Sequence, residues 1–281
     1  MSKTIDIERR AIILAAGAAP LIAAAAHGAT HETGTTAIKI QRLAWAGVKL
    51  ELDDTAIFID ARAPNANDDA PGPELASTAS RRFALVTHHH SDHCDPAALK
   101  PILGEHGYLV SNDEVARFFD NRIVNVQPAR LHEPVFVSRS NGAFVARCVP
   151  ASDGLGSPQV SWVLEGGGKR IIHCGDTLWH GGWWDIARAY GPFDLAFLPI
   201  NGFHQIGDRY TDSGQVMSMT PEQAVSAARV LQARLVVPIH YGAHASAEYF
   251  EELHPLDRFT RAANAVGLQS RAMKPGDIFT L

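Results

Sequence analysis

Residues 88–93 are the segment of this chain with the clearest potential for metal chemistry. They place His88, His90, Asp92 and His93 within six positions. Imidazole and carboxylate groups bind transition-metal ions, and a loop can point some of its side chains at one centre and the others at a second centre nearby. Placing four such groups close together without a bound cation would cost electrostatic free energy. The spacing therefore predicts a metal-binding loop that serves two ions.

The elements on either side of this loop predict how it is held. A short apolar strand at 83–87 leads into it, and a helix with Asp95 as its N-cap and Pro96 at its first position follows it. Upstream, short alternating apolar segments predict a meander of antiparallel strands at 38–45, 48–52 and 57–60.

The second half of the chain also alternates between strand and helix. Thr220 as N-cap and a proline directly after it predict a helix at 221–232, and apolar strands at 195–199 and 234–239 flank that helix. Each half passes from mostly strand to mixed strand and helix. This order predicts an α/β fold in which two sheets pack together with helices outside.

The composition is that of an ordinary globular protein, with 281 residues, 46% of them hydrophobic and 20% charged. The formal net charge of -5 argues against nucleic-acid binding, which needs an excess of Lys and Arg. A small-molecule substrate is the expected partner, and the sequence leaves the oligomeric state open. Three widely spaced cysteines predict buried thiols and no disulfide framework: Cys94, Cys148 and Cys174.

The N-terminal segment has the three-part pattern of an export signal. The pair Arg9-Arg10 precedes an uncharged run at 11–26, which ends in small residues and, at 16 residues, is short for a membrane span. The arginine pair resembles a twin-arginine signal. We expect an export signal over residues 1–29, one domain over 37–281, no membrane span after cleavage, and a periplasmic or extracellular location. An uncleaved anchor or tail is the alternative.

The pattern His88-x-His90-x-Asp92-His93 resembles the signature of the metallo-β-lactamase superfamily. The segments at 45–47, 57–60, 173–177, 191–200 and 238–241 are similar to other family segments and occur in the family's order. The resemblance covers nearly the whole chain after the N-terminal segment. It is strongest to the branch that includes bacterial ascorbate-6-phosphate lactonase and N-acylphosphatidylethanolamine phospholipase D. It implies a four-layer αβ/βα sandwich with a metal site at one edge of the sheets.

The resemblance also implies a ligand set for two divalent ions. His88 and His90 would hold the first ion, and Asp92, His93 and His240 the second, with Asp176 bridging both. Zinc is the expected metal. A hydroxide bound between the ions would act as the nucleophile, because metal binding lowers the pKa of water to about 7. Asp92 and Asp176 are the expected catalytic residues, with Asp92 orienting the hydroxide.

One position departs from the family pattern. The family usually has a third histidine for the first ion after a Pro-Ala-x element, and here Asp153 follows Pro150-Ala151-Ser152. An aspartate ligand is a harder, anionic donor and favours manganese or iron over zinc at that position. Two readings stay open: Asp153 binds the first ion, or it is a turn residue before Gly154.

Aromatic and polar residues near the predicted ligands are candidates for a substrate pocket. Trp184 begins a predicted helix and is expected in the core rather than in the pocket. The residues assigned to substrate binding are Trp179, His180, His204 and Tyr241.

Together these features predict an exported metal-dependent hydrolase that cleaves an ester, lactone or phosphodiester of a small molecule. Esters and lactones are favoured, because no cluster of Lys and Arg marks a phosphate pocket. The alternative function is an iron-containing redox or dioxygenase-like metalloprotein on the same fold, which the aspartate at position 153 would suit.

Overall fold

The computed structural model describes residues 37–63, 72–73, 75–117, 125–137, 144–243 and 245–281. The first part of the chain supplies six strands of one sheet: β1 (Lys39–Arg42), β2 (Val48–Leu52), β3 (Thr55–Ile59), β4 (Arg81–Val86), β5 (Tyr108–Asn112) and β6 (Asn125–Ala129). The predicted meander is confirmed, since β1, β2 and β3 pair antiparallel. From β3 onward the strands run parallel.

The second sheet comes from the second part of the chain. Its strands are β7 (Val135–Phe136), β8 (Val145–Pro150), β9 (Val160–Gly166), β10 (Lys169–His173), β11 (Leu195–Pro199) and, after a short β12 (His204–Gln205), β13 (Leu235–Ile239). Strands β10, β11 and β13 are parallel neighbours. A short β14 (Tyr249–Phe250) pairs with β12, and the C-terminal β15 (Ile278–Thr280) returns to pair with β1.

The main core lies between the two sheets. Alternate side chains of each strand point to opposite faces, so Leu85 faces this core while its neighbour Val86 faces outward. The second sheet contributes large, fully buried residues such as Trp162 and Phe197. Strands buried on both faces read as continuous apolar runs, as in the sequence Leu-Ala-Phe-Leu-Pro of β11.

Helices cover the outer face of each sheet. Helix α1 (Pro96–Leu103) packs on the first sheet, and α2 (Asp113–Ala116) follows β5. The second sheet is covered by α3 (Trp183–Tyr190), α4 (Pro221–Val230) and α5 (Pro255–Ala265). The layers therefore run helix, sheet, sheet, helix, and the predicted αβ/βα sandwich is confirmed. Within the described ranges, no helix is both long and apolar enough to span a bilayer.

Two predicted helix starts are confirmed in detail. The Asp95 carboxylate accepts a hydrogen bond from Ala97 N, with Pro96 at the first position of α1. Thr220 and Gln223 form a reciprocal capping box at the start of α4. Such caps satisfy main-chain N–H groups that a helix leaves unpaired.

The prediction that Trp184 belongs to the core is wrong. Helix α3 begins one residue earlier than predicted, at Trp183, and consecutive helix residues point in directions about 100° apart. Trp183 is therefore fully buried, whereas Trp184 is 53% exposed. The export signal predicted over residues 1–29 lies outside the described residues.

Candidate metal centre

Four loops that follow strands converge at one edge of the sandwich. The loop after β4 carries residues 88–93, and the loops after β8 and β10 carry Asp153 and Asp176. His240 directly follows β13. The first loop therefore belongs to one sheet and the other three loops to the second sheet, so the centre is assembled from both.

The first group of potential ligands contains His88, His90, Asp153 and Asp176. Ligand atoms of these four residues all lie within 4.8 Å of one another. His90 Nε2 is 3.9 Å from Asp153 Oδ2, and His88 Nε2 is 3.8 Å from Asp176 Oδ1. The structure thus brings the aspartate at position 153 to the place where the resemblance implied a histidine ligand.

The second group contains Asp92, His93 and His240, again with ligand atoms within 4.8 Å of one another. Asp92 Oδ2 lies 3.4 Å from His93 Nε2 and 3.6 Å from His240 Nε2. Trp45 Nε1 donates a 3.0 Å hydrogen bond to the same carboxylate oxygen. The Asp92 side chain is 42% exposed, so solvent reaches this group from the Asp92 side.

Asp176 lies between the two groups. Its Oδ1 faces His88, while its Oδ2 is 3.9 Å from His93 Nε2 and 3.8 Å from His240 Nε2. Burial, together with the neighbouring carboxylates of Asp92 and Asp153, raises the pKa of Asp176 to about 7, although His93 opposes the shift. One carboxylate oxygen toward each group is the arrangement that a bridging ligand requires.

Several imidazole nitrogens in the centre are buried and have no hydrogen-bond partner among the residues that the structure describes. They are the Nε2 atoms of His88, His93 and His240, and also Nδ1 of His240. A buried polar atom without a partner costs about 1–3 kcal/mol, so such atoms mark a ligand or a strained site. Burial lowers the pKa of His240 to about 4 and lowers that of His88 well below its usual value. Neutral imidazoles with free nitrogens, beside carboxylates, fit divalent metal ions.

Asp60, at the end of β3, holds two of these histidines in the form that binds metal. His93 Nδ1 donates to Asp60 Oδ2 at 2.8 Å, so the lone pair of neutral His93 lies on Nε2. The Thr87 hydroxyl also donates to Asp60 Oδ2, at 2.7 Å, and it must therefore accept from His88 Nδ1, 3.1 Å away. The free nitrogen of His88 is then Nε2 as well. Carboxylates that orient histidine ligands in this way are typical of metal sites.

Carboxylates also dominate the charge around His93. Burial lowers the pKa of His93, but Asp92, Asp60 and Asp176 outweigh it and raise the pKa well above its usual value. Partial removal of Asp92 from water acts to raise its pKa. The charge and hydrogen bonds of His93 and His240 outweigh this effect and hold the pKa well below its usual value. A cluster of this acidity attracts cations, and a bound metal ion would take the place of the proton on His93.

The position of Asp153 is compatible with both roles that the sequence left open. Its Oδ1 accepts from Leu155 N at 3.1 Å and its Oδ2 from Ser157 N at 2.6 Å, as in a turn residue. The same buried carboxylate also belongs to the first ligand group. A carboxylate has about four lone-pair positions, so two main-chain bonds leave room for a metal bond.

The four residues assigned to substrate binding lie in three places. His180 stacks on Trp183 with ring centroids 4.5 Å apart, and Trp179 packs beside the same residue. His204 stacks on Phe250 in the small β12–β14 sheet. Tyr241 follows His240 and packs against the core under α4. A contact with substrate stays a prediction for all four.

Three polar residues of the centre were not predicted: Asp60, Ser157 and Gln159. Ser157 Oγ lies 2.9 Å from His90 Nε2, and Gln159 Nε2 donates to Asp176 Oδ1 at 2.8 Å. Gln159 also borders a cavity of about 300 Å³ whose other walls are the ends of β5, β6 and β8.

The comparisons with known proteins point to one family. A model described as "Beta-lactamase superfamily domain" matches residues 23–241. A UPF0173 metal-dependent hydrolase of Thermus thermophilus is 33% identical over 207 residues, which cover 70% of this chain and 80% of the relative. A relative of the same name from Rubrobacter xylanophilus is 32% identical over 216 residues, covering 73% of this chain and 81% of the relative.

Solved structures share the fold. Igni18, a metallo hydrolase from the archaeon Ignicoccus hospitalis, has a TM-score of 0.68 at 21% identity and covers 88% of this chain and 99% of its own. CmlA, a diiron β-hydroxylase from Streptomyces venezuelae, has a TM-score of 0.64 at 14% identity and covers 88% of this chain and 54% of its own.

The predicted enzyme class, a metal-dependent hydrolase, is the class that the curated relatives are named for, and it is confirmed. The branch within the superfamily stays a prediction. The fold, the family match and the sequence relatives agree: the chain belongs to the metallo-β-lactamase superfamily.

Proposed function

We propose that the protein is a hydrolase with two divalent metal ions that cleaves a small-molecule ester or lactone. The observation that carries the proposal is the convergence of seven potential ligands into two adjacent groups, with three buried Nε2 atoms that have no partner in the described residues. His88, His90 and Asp153 would hold the first ion, His93, His240 and Asp92 the second, and Asp176 both.

The residues of the centre divide the work of hydrolysis. When bound, divalent ions supply a water of lowered pKa as nucleophile and polarise the substrate oxygen. Asp92, held by Trp45 and partly exposed, accepts a hydrogen bond from an attacking water and so orients it toward the substrate. Asp176, fixed by Gln159, keeps the two ligand groups at a constant separation.

The charge of the centre favours neutral substrates over phosphodiesters. Four aspartates lie in or beside the two groups: Asp60, Asp92, Asp153 and Asp176. With neutral histidines, their four negative charges offset the four positive charges of two divalent ions. A histidine in place of Asp153 would leave one further positive charge. The centre therefore offers little excess positive charge to a phosphodiester anion.

Metal analysis and a substrate panel test this function. The purified protein should bind two equivalents of metal, lose activity with a chelator, and regain it with zinc or manganese. Chromogenic esters and lactones should be hydrolysed faster than phosphodiesters, and His93→Ala should abolish turnover. Turnover of phosphodiesters alone would refute the charge argument, and no turnover of the panel would count against the hydrolase.

An iron-containing redox protein is the second candidate. The first group offers two imidazoles and two carboxylates, a donor set that suits iron. A visible absorption band that changes on addition of dithionite would support this candidate. A colourless protein that is activated by zinc would exclude it.

We further propose that the protein is exported. The pair Arg9-Arg10 before the uncharged run at 11–26 supports this proposal. In a bacterial host, the protein should accumulate in the periplasm with a shortened N-terminus by mass spectrometry. Arg9→Lys combined with Arg10→Lys should keep it in the cytoplasm at full length. A full-length wild-type protein in the cytoplasm would refute export.

A further inference from the structure

The two ligand groups differ in how free their histidine nitrogens are. In the second group, the Nε2 atoms of His93 and His240 are both buried and have no partner in the described residues. Their rings are also fixed, since His93 is held by Asp60 and the His240 ring packs 4.3 Å from that of Trp45. An ion that enters this group displaces no hydrogen bond to a neutral side chain; it replaces only the proton on His93, whose place beside Asp92 and Asp176 it takes.

In the first group, a hydroxyl already occupies one of the two histidines. Ser157 Oγ forms a 2.9 Å hydrogen bond with His90 Nε2, the nitrogen that lies in the ligand group with Asp153. A nitrogen has one lone pair or one proton at this position, so it cannot keep the hydroxyl and bind a metal ion. Of the two histidines in this group, His88 is the one whose Nε2 has no partner within the described ranges.

Ser157 is held in this position by the carboxylate that it neighbours. Its main-chain N donates to Asp153 Oδ2 at 2.6 Å, so one residue contacts two ligands of the first group. Gln159, two residues later, donates to Asp176 Oδ1, the oxygen that faces this group. The loop between β8 and β9 therefore supplies hydrogen bonds to three of the four first-group ligands.

We propose that Ser157 competes with the metal for His90, and that the second group consequently binds its ion more tightly than the first. This inference rests on the proposed function, because it concerns the same two ion positions. It makes the form with one ion in the second group the prevalent one when metal is scarce. The first ion enters only when the Ser157 hydroxyl leaves His90.

Metal titration of the purified, metal-stripped protein tests this proposal. Zn²⁺ is added in competition with a chromophoric chelator, and Co²⁺ is added in parallel while its visible absorption is followed. We expect a tight step and a weaker step of one ion each. Ser157→Ala should strengthen the weaker step about three- to tenfold, the factor that one neutral hydrogen bond contributes. Ser157→Thr, which keeps the hydroxyl, should resemble the wild type.

Further variants assign the two steps. Asp153→Ala should remove the weaker step, and His240→Ala the tighter one. Ser226→Ala is the matched control, because its hydroxyl bonds Glu222 O on the exposed side of α4. Thermal unfolding of each metal-free variant checks that it is folded.

Two equal binding steps in the wild type, or a Ser157→Ala titration that matches Ser226→Ala, would overturn the inference. Loss of the tighter step in Asp153→Ala would overturn it as well. Absence of any metal binding would overturn the proposed function itself, so the two failures are distinguishable.

Discussion

Replacing Asp60 with asparagine tests whether the metal centre depends on a residue that touches no ion. Asp60 is fully buried and accepts three hydrogen bonds, from Thr87 N, the Thr87 hydroxyl and His93 Nδ1. In Asp60→Asn, the amide oxygen can keep the bond from Thr87 N. The NH₂ group then faces His93 Nδ1, and two donors meet. His93 can relieve this clash by moving its proton to Nε2, where it blocks metal binding.

The expected magnitude follows from these contacts. Loss of a carboxylate that orients a histidine ligand typically lowers metal affinity about 10- to 100-fold, which corresponds to about 1.4–2.8 kcal/mol. Because the Thr87 hydroxyl passes the effect on to His88, both ligand groups are affected. We therefore expect a decrease near the upper end of that range for the two ions together, measured by competition with a chromophoric chelator.

Asp54→Asn is a closely matched control. Asp54 also accepts hydrogen bonds from the N and the hydroxyl of one residue, Ser80, but it is exposed and contacts no histidine in the described structure. Its replacement should leave metal affinity within about twofold of the wild type. If Asp60→Asn behaves in the same way while its metal-free form is folded, the argument that Asp60 sets the histidine tautomers is refuted.

Three further predictions concern the rest of the fold. Burial raises the thiol pKa to about 12, 11 and 12, so Ellman's reagent should label no cysteine in the native protein at pH 8 and all three after unfolding: Cys94, Cys148 and Cys174. Urea unfolding should show a loss of about 3–5 kcal/mol for Trp183→Ala and under about 0.5 kcal/mol for the exposed Trp184→Ala. Arg258→Ala, which breaks ion pairs with Glu222 and Glu252, should cost about 1 kcal/mol at pH 7. The arginine's hydrogen bond lowers the pKa of Glu222, so the difference in unfolding free energy should hold above about pH 4.3 and shrink as the pH falls through the lowered pKa, because the contribution of Glu222 is then lost; a constant difference would contradict it.

The sequence predicts the grouping of potential ligands at 88–93 well, because these residues are neighbours in the chain. Four potential ligands stand within six positions, and a strand and a capped helix flank them. The role of Asp60 could not be predicted from the sequence, because an aspartate directly after a strand is equally typical of a turn. Its role follows from the pairing of β3 with β4, in which Ile59 lies opposite Leu85 and the Asp60 carboxylate reaches Thr87 N.

Helix α5 and strands β12 and β14 were not predicted from the sequence. Helix α5 begins with Pro255 at its first position and buries Phe259 and Ala263, four residues apart on one face. That spacing is a helix signal that the sequence contained. Strands β12 and β14 have two residues each, too short for any period to be read. Ser157 and Gln159 lie in a loop, where only the tertiary structure reveals their partners.

The division of the ligands between the two sheets has an evolutionary consequence. The first group takes His88 and His90 from the first sheet and Asp153 and Asp176 from the second, while the second group adds His240 of the second sheet to two residues of the first. Neither half of the chain carries a complete chelating set. A duplicated or separated half would offer only part of each group, so both halves and the contact between them are needed to complete either one.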